Sequence, residues 1–374
     1  SGLVLLLSKL ILDKFRNYQE TCLDFGEGLN FLVGNNAQGK TNLLEAIFYL
    51  CHLSSPRTNE DSELILFGQE EAYVRGIVQR QIGDFELGVR IPIKGRKKVE
   101  IDGLPQAKLA DFLGTLNCVY FSPDDLKLVK GGPAERRRFM DLEISQVNPY
   151  YRHALSRYNK VLQQRNNLLK EGKPDSKLLA VFSEQLIESG SVVMERRLTM
   201  LSRLNLLAKL LQRKLTELKE NLSLEYSPSF AITQDLKADF IKALESSSVE
   251  EKQRGYTLVG PHRDDFSMII DGRDVRIFGS QGQQRTVVLA LKLAELEFLR
   301  GEAGEYPVLL LDDVFSEIDD VRRKKLFEII SQNKVQTFIS TANPRDLENI
   351  IGEQRKVFEI CSGRVVVKKD VTPR

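Results

Sequence analysis

The chain has 374 residues, 54 lysines and arginines against 52 aspartates and glutamates, 42% hydrophobic residues and no tryptophan. At roughly 100–200 residues per domain, that length predicts two or three structural units with room for a large core. The net charge of +2 means that any nucleic-acid site is a local patch, not a property of the whole chain. Cys22, Cys51, Cys118 and Cys361 have no zinc-clip spacing, and scattered thiols fit a reducing, cytoplasmic compartment. No apolar run is long enough for a membrane span, and residues 3–7 are wrongly flanked for a signal peptide.

In chain order, residues 3–33 read as a β-hairpin. Leu10, Leu12 and Phe15 form one alternating face and Leu23, Phe25, Leu29, Phe31 and Val33 another, broken at Gly26-Glu27-Gly28. Residues 42–52 carry Leu43, Leu44, Ile47, Phe48 and Cys51 at helical spacing. Alternation over 72–102, with turns at Gly83-Asp84, Gly95 and Asp102-Gly103, predicts a β-meander. Residues 117–121 are one more buried strand.

Residues 134–222 carry almost no strand signal. Leu155, Tyr158, Leu162 and Leu169 sit on one helical face, and the run from Glu171 to Asp175 is a helix stop, a turn and a candidate N-cap. Leu201, Leu204, Ala208, Leu211, Leu215, Leu218 and Leu222 repeat in steps of three and four, a seam for an antiparallel helix pair or short coiled coil, or for a bundle core. Mixed patterning resumes near 255, with buried strands at 308–311 and 336–339 and a helix at 321–330. The predicted architecture is an α/β head in two pieces, 1–125 and 255–374, with a helical arm, 126–254, inserted between them.

The sharpest motif is Gly34-Asn35-Asn36-Ala37-Gln38-Gly39-Lys40-Thr41. It fits G-x-x-x-x-G-K-[ST], follows a predicted strand and opens a predicted helix. Its glycines permit backbone angles that turn successive N–H groups inward, and the helix N-terminus completes a cradle for anionic oxygens. Lys40 is positioned to reach the β- and γ-phosphates of a nucleotide and Thr41 to ligate Mg²⁺. Leu309-Leu310-Leu311-Asp312-Asp313 is a buried strand ending in two carboxylates: Asp312 for Mg²⁺, Asp313 as general base on the attacking water. Ser280-Gln281-Gly282-Gln283-Gln284 precedes an apolar helix and makes a second anion-binding tip, suited to the phosphate loop of a partner chain. Ser280 as a plain N-cap is the structural alternative. His262 with Asp264-Asp265 is read as a structural or DNA-adjacent group.

Together these residues resemble the ATP-binding-cassette head of the SMC and Rad50 class and, within it, the RecF family of bacterial recombination mediators. The likeness runs over nearly the whole chain in six ordered blocks: Phe15-Arg16-Asn17-Tyr18; Gly39 through Ile47; Pro123-Asp124-Asp125 with Gly131-Gly132-Pro133 and Arg136 through Asp141; Gly260 through Asp265; Ser280 through Arg285; and Ser316-Glu317-Ile318-Asp319. The resemblance implies head-to-head dimerisation on ATP, with ATP held by Gly34 through Thr41 of one chain and by Ser280, Gly282 and Gln283 of the other. It further implies nucleotide contact by Arg16, a dimer-interface role for Asp319, and work with RecO and RecR in loading RecA at gaps, in repair, replication and the SOS response. Asp313 stands where the wider class usually has Glu, no switch His follows Thr337-Phe338-Ile339-Ser340-Thr341, and no Gln lies near Ser122. Slow hydrolysis is therefore expected, with Ser340 or Thr341 holding the γ-phosphate.

The arm concentrates positive charge: eight Lys/Arg against three acids over 135–170, and seven against three over 191–220. Such a stripe attracts a phosphate backbone without sequence preference. Arg136, Arg137, Arg152, Arg157 and Lys160 are the DNA candidates, single-stranded, duplex or gap-junction, with Tyr150, Tyr151 and Tyr158 available to stack on bases. A transporter-type ATPase subunit and a DNA-binding protein using ATP only as dimer glue are the rival classes. The basic insertion argues against the first.

Overall fold

The strand Leu29–Val33 is buried along its whole length, as a strand between two parallel neighbours must be. In the computed structural model, which describes residues 5–171, 175–343 and 355–368, it lies third in a six-stranded sheet. The order is Arg364–Lys368, Arg355–Cys361, Leu29–Val33, Thr337–Thr341, Val308–Asp312, Cys118–Phe121. Every neighbouring pair is parallel except the first. Residue 29 therefore does not continue the N-terminal hairpin, as alternation alone predicts. That hairpin ends at Asp24, and Asn30 closes the intervening turn by accepting from Gly26 N–H and donating to the Gly26 carbonyl, both at 2.8 Å.

A second, antiparallel sheet runs Tyr18–Asp24, Leu6–Phe15, Glu71–Arg80, Gly83–Pro92, Lys98–Ile101, Leu104–Pro105 and contains the expected meander. Gln336, buried at the start of the Thr337–Thr341 strand, links the two sheets. It accepts from Leu7 N–H at 2.8 Å and donates to the carbonyls of Leu7 and Gly26, each at 2.9 Å.

The chain divides into two compact units, Ser1–Asp125 with Lys292–Arg374, and Leu126–Leu291. The first break between these units lies at residue 125. The second lies beyond 255, inside the helix Gln281–Ala303. The reason is a strand that periodicity hides: Leu222–Ser227 pairs along its length with Asp265–Ile270, which also pairs with Arg273–Asp274. Residues 255–291 thereby group with the helices Pro133–Val147, Pro149–Lys170, Ser176–Leu215 and Leu236–Arg254. Asp175 caps the long helix as expected, accepting from the N–H of Lys177 and Leu178. The leucine seam holds through Leu215. Glu217 and Leu218 then take positive φ, Leu218 is exposed, and Leu222 belongs to the strand.

The interior of this unit is polar where helices meet. Arg165 donates to Glu251 at 2.7 Å and Thr257 at 2.8 Å, with all three groups buried. His262 Nε2 lies 3.0 Å from the Thr257 carbonyl, so it is the donor, and Nδ1 accepts from Tyr158 OH at 2.7 Å. Both ring nitrogens are thus satisfied in the neutral form, and the residue is structural. Burial pushes its pKa from 6.5 down to about 4. Between those values the unfolded chain takes up a proton that the folded chain refuses, so the contribution of His262 is present above pH 6.5 and is lost as pH falls toward 4. Chemical denaturation from pH 7 to 4.5 is expected to show His262→Gln losing stability less steeply than the parent, by up to about 1 kcal/mol per pH unit. Identical slopes would contradict the buried neutral ring.

Candidate nucleotide site

The phosphate loop is shaped by close approach on two sides. A Cβ on Gly34 would lie 2.3 Å from the Ile360 carbonyl oxygen, and one on Gly39 would lie 2.7 Å from Tyr18 OH. Gly39 at φ +119° and Ala37 at φ +64° turn the chain into the helix Lys40–His52. Tyr18 OH donates to the Gly39 carbonyl at 2.9 Å and Asn17 Nδ2 to the Gln38 carbonyl at 3.1 Å. The turn of the C-terminal hairpin also grips Gln38: Ser362 N–H donates to its Oε1 at 2.7 Å and Gly363 N–H to its carbonyl at 3.0 Å. The Gln38 side chain, expected at the nucleotide, thus serves to hold the loop, while Asn35 and Asn36 are exposed.

Lys40 is buried, and its Nζ donates to the Gly34 carbonyl and, at 2.8 Å, to that of Asn35. Burial lowers its pKa, and the charges of Asp313 and Asp312 work against that shift. Because Thr337–Thr341 lies between the strands that carry the loop and the carboxylates, Thr41 reaches Asp312 across the strand ends: Thr41 Oγ1 donates to Asp312 Oδ1 at 3.0 Å. The 271-residue separation closes into one site.

Two further hydroxyls meet Asp312. Ser340 Oγ donates to Oδ1 at 2.6 Å and Tyr120 OH to Oδ2 at 2.8 Å. Tyr120 was not legible as a site residue, because nothing in residues 117–121 says which neighbour the strand takes. Burial pushes the Tyr120 hydroxyl well up, with Asp312 adding to the shift, so it stays a donor. Asp313 is exposed and holds φ +53°, a left-handed state uncommon for non-glycine residues, though aspartate adopts it more readily than most.

Arg16 is tied into the same framework. It forms a two-pronged pair with buried Glu45 at 2.7 and 2.8 Å, and its Nη1 donates to the Glu63 carbonyl. Glu45 also pairs with Arg57, which donates to Asn42 at 2.8 Å. Neither Arg57 nor the brace on Arg16 is signalled by a motif.

Ser280 and Gln283 form a reciprocal capping box: Gln283 N–H donates to Ser280 Oγ at 3.1 Å and Ser280 N–H to Gln283 Oε1 at 3.0 Å. Ser280 and Gly282 are exposed. Asp319 is an exposed N-cap that accepts from Arg322 N–H at 2.9 Å.

Of the basic candidates, Arg157 and Lys160 are exposed on one helix. Arg137 is half-buried, donating to the Asp264 carbonyl at 3.0 Å, and Arg152 donates to the Ser145 carbonyl. Arg136 does not fit DNA contact. It is 2% exposed, and four of its five donors go to Asp265 and to the carbonyls of Leu128 and Gly131. Tyr151 and Tyr158 are fully buried, their hydroxyls committed to Asp141 and His262, which leaves Tyr150 as the exposed ring.

The loop and carboxylates fit a magnesium triphosphate. The N-terminus of the helix Lys40–His52 and the Lys40 ammonium suit phosphate oxygens, and Thr41 and Asp312 present adjacent oxygens to a hard cation. Among the described residues no group of three or more His, Cys, Asp or Glu could hold a metal ion, so a cation at Thr41 and Asp312 would need phosphate or water as further ligands. Among the same residues no helix is long and apolar enough to cross a membrane.

Comparison with known proteins agrees with this geometry. Residues 6–364 match the RecF/RecN/SMC N terminal domain family. The chain is 44% identical to the DNA replication and repair protein RecF of Halothermothrix orenii, covering 98% of this chain and all of the relative, and 45% identical to RecF of Alkaliphilus oremlandii over 96% of this chain and all of that one. A solved structure of the recombination mediator protein RecF with ATPrS, from work on the RecFOR pathway, superposes with a TM-score of 0.90 at 35% identity, covering 98% of this chain and 99% of that chain. An Smc head domain with an extended coiled coil from Pyrococcus furiosus shares the fold, with a TM-score of 0.58 at 18% identity over 98% of this chain and 96% of its own. The α/β head with its phosphate loop, and nearly full-length identity above 40% to RecF proteins, establish that the chain belongs to the RecF family of DNA replication and repair proteins, within the SMC-type ATPase fold.

Proposed function

We propose that the chain is a cytoplasmic recombination mediator of the RecFOR type, which binds Mg²⁺–ATP, closes head-to-head with a second copy on DNA, and reopens through slow, DNA-stimulated hydrolysis. The observation that carries this reading is the bond from Thr41 to Asp312, which makes one metal-binding edge beside the Lys40 loop. Lys40 and the loop N–H groups bind and orient the β- and γ-phosphates. Mg²⁺ held by Thr41 and Asp312 supplies neutralisation of the phosphate charge. Asp313 accepts the proton of the attacking water. Ser280 and Gly282 of the partner copy, at an exposed helix N-terminus, cap the nucleotide from the far side, and Asp319 lies at the interface. Arg16 acts on the nucleotide through its hold on Glu45 in the loop's helix.

DNA binding rests on Arg157 and Lys160, with Arg137 on the preceding helix, and on the excess of base in the helical unit. Duplex, single-stranded and gapped DNA all present the phosphate backbone that these residues recognise. RecO and RecR are the partners the family implies, with RecA loading at gaps as the outcome.

Sedimentation with and without saturating Mg²⁺–ATP is expected to give a single-copy mass for Lys40→Met in both conditions, while the parent doubles its mass with ATP. A variant that still dimerises on ATP would overturn the mechanism. For DNA, the double variant Arg157→Ala/Lys160→Ala is expected to weaken binding to all sequences alike and to flatten the dependence of log K on log salt by about 2. An unchanged slope would move the DNA site elsewhere.

A further inference from the structure

Beside Asp312 and Asp313 sits a side chain whose hydrogen bonds fix its role. Asp312 and Ser340 are register partners on adjacent parallel strands, and Ser340 is 1% exposed. Its hydroxyl gives its single proton to Asp312 Oδ1 at 2.6 Å and accepts the backbone N–H of Asp313 at 2.9 Å. The same N–H lies 3.3 Å from the Ser340 carbonyl. One serine therefore grips both carboxylate-bearing residues, by side chain at 312 and by backbone at 313. A hydroxyl has one proton, and here it is spent on Asp312. Donating to a γ-phosphate, the role expected of Ser340 in place of a switch histidine, would release the carboxylate.

We infer that Ser340 is a positioning residue that locks the metal-binding carboxylate of Asp312 to the backbone of the water-activating Asp313. The left-handed state of Asp313, at φ +53°, is less favoured than the extended or helical regions and is held by surrounding bonds. The Ser340 hydroxyl supplies one of those bonds. From the opposite flanking strand, Tyr120 OH holds Asp312 Oδ2 at 2.8 Å but makes no such link to Asp313. Outer groups of this kind orient a metal ligand without touching the metal. The inference rests on the reading of Thr41, Asp312 and Asp313 as the metal and water groups.

The test compares the parent full-length chain with Ser340→Ala, Ser340→Thr and Tyr120→Phe. ATP and ADP binding are titrated against Mg²⁺, and hydrolysis is followed in a single turnover with DNA at saturating Mg²⁺. Loss of such an outer group typically costs about 10–100-fold in metal affinity or activity. Ser340→Ala is expected to raise the Mg²⁺ concentration at half-maximal ATP binding and to slow the turnover by that order, with ATP and ADP binding without Mg²⁺ unchanged. Ser340→Thr restores both. Tyr120→Phe raises the Mg²⁺ requirement as well. A selective loss of ATP over ADP binding in Ser340→Ala without Mg²⁺ would overturn the inference in favour of a γ-phosphate ligand. An unchanged Mg²⁺ response in Ser340→Ala would overturn it too. A parent that binds Mg²⁺–ATP without turnover defeats the hydrolysis reading instead, and the Mg²⁺ response of Ser340→Ala then decides the positioning role on its own.

Discussion

The account depends on one contact, the bond from the Thr41 hydroxyl to the Asp312 carboxylate. Two residues far apart in sequence meet because their strands flank Thr337–Thr341 in a single parallel sheet. The five strands from Arg355–Cys361 to Cys118–Phe121 run parallel, so the loop after Leu29–Val33 and the acids after Val308–Asp312 open on the same edge. Both strands are buried along their whole length and paired in register with Thr337–Thr341, so the core that stabilises the head also sets the geometry of the site.

Around that contact the head gives up side-chain freedom wherever precision is needed. The phosphate loop is gripped by Asn17 and Tyr18 from the N-terminal hairpin and by Ser362 and Gly363 from the C-terminal one. Asp312 is held by three hydroxyls from three different elements. A carboxylate with its orientation already fixed loses little conformational entropy when a cation arrives. The arginine-to-glutamate pair of Arg16 and Glu45 does the same for the helix behind the loop, and it is worth most because Glu45 is buried and fully partnered.

The phosphate loop, the acidic strand end and the helix opened by Ser280 were legible because each is local: a glycine at a forced turn, a carboxylate closing an apolar run, a hydroxyl before a helix. What escaped the sequence was whatever depends on a distant neighbour. Leu222 fits the spacing of the helical seam, yet it is drawn into a strand by residue 270. That pairing also carries residues 255–291 into the helical unit. Arg136 looks like its neighbours Arg137 and Arg138 until Asp265 takes it out of solvent. Tyr151 and Tyr158 fill the core, although a tyrosine on a basic helix reads equally well as a stacking platform. Alternation over residues 10–33 likewise cannot say that residue 29 has changed sheets.

The central claim is that the nucleotide site is composite, with Lys40 from one copy and Ser280 from another. Subunit mixing tests it most directly. Lys40→Met and Ser280→Arg chains, each inactive alone, form mixed dimers in which one of the two sites keeps both of its native residues. An equal mixture is predicted to recover DNA-stimulated turnover that neither variant shows alone, up to about half of the parent's, since only mixed dimers carry an intact site and half of their sites are intact. A mixture no more active than the two variants measured separately would contradict the composite site.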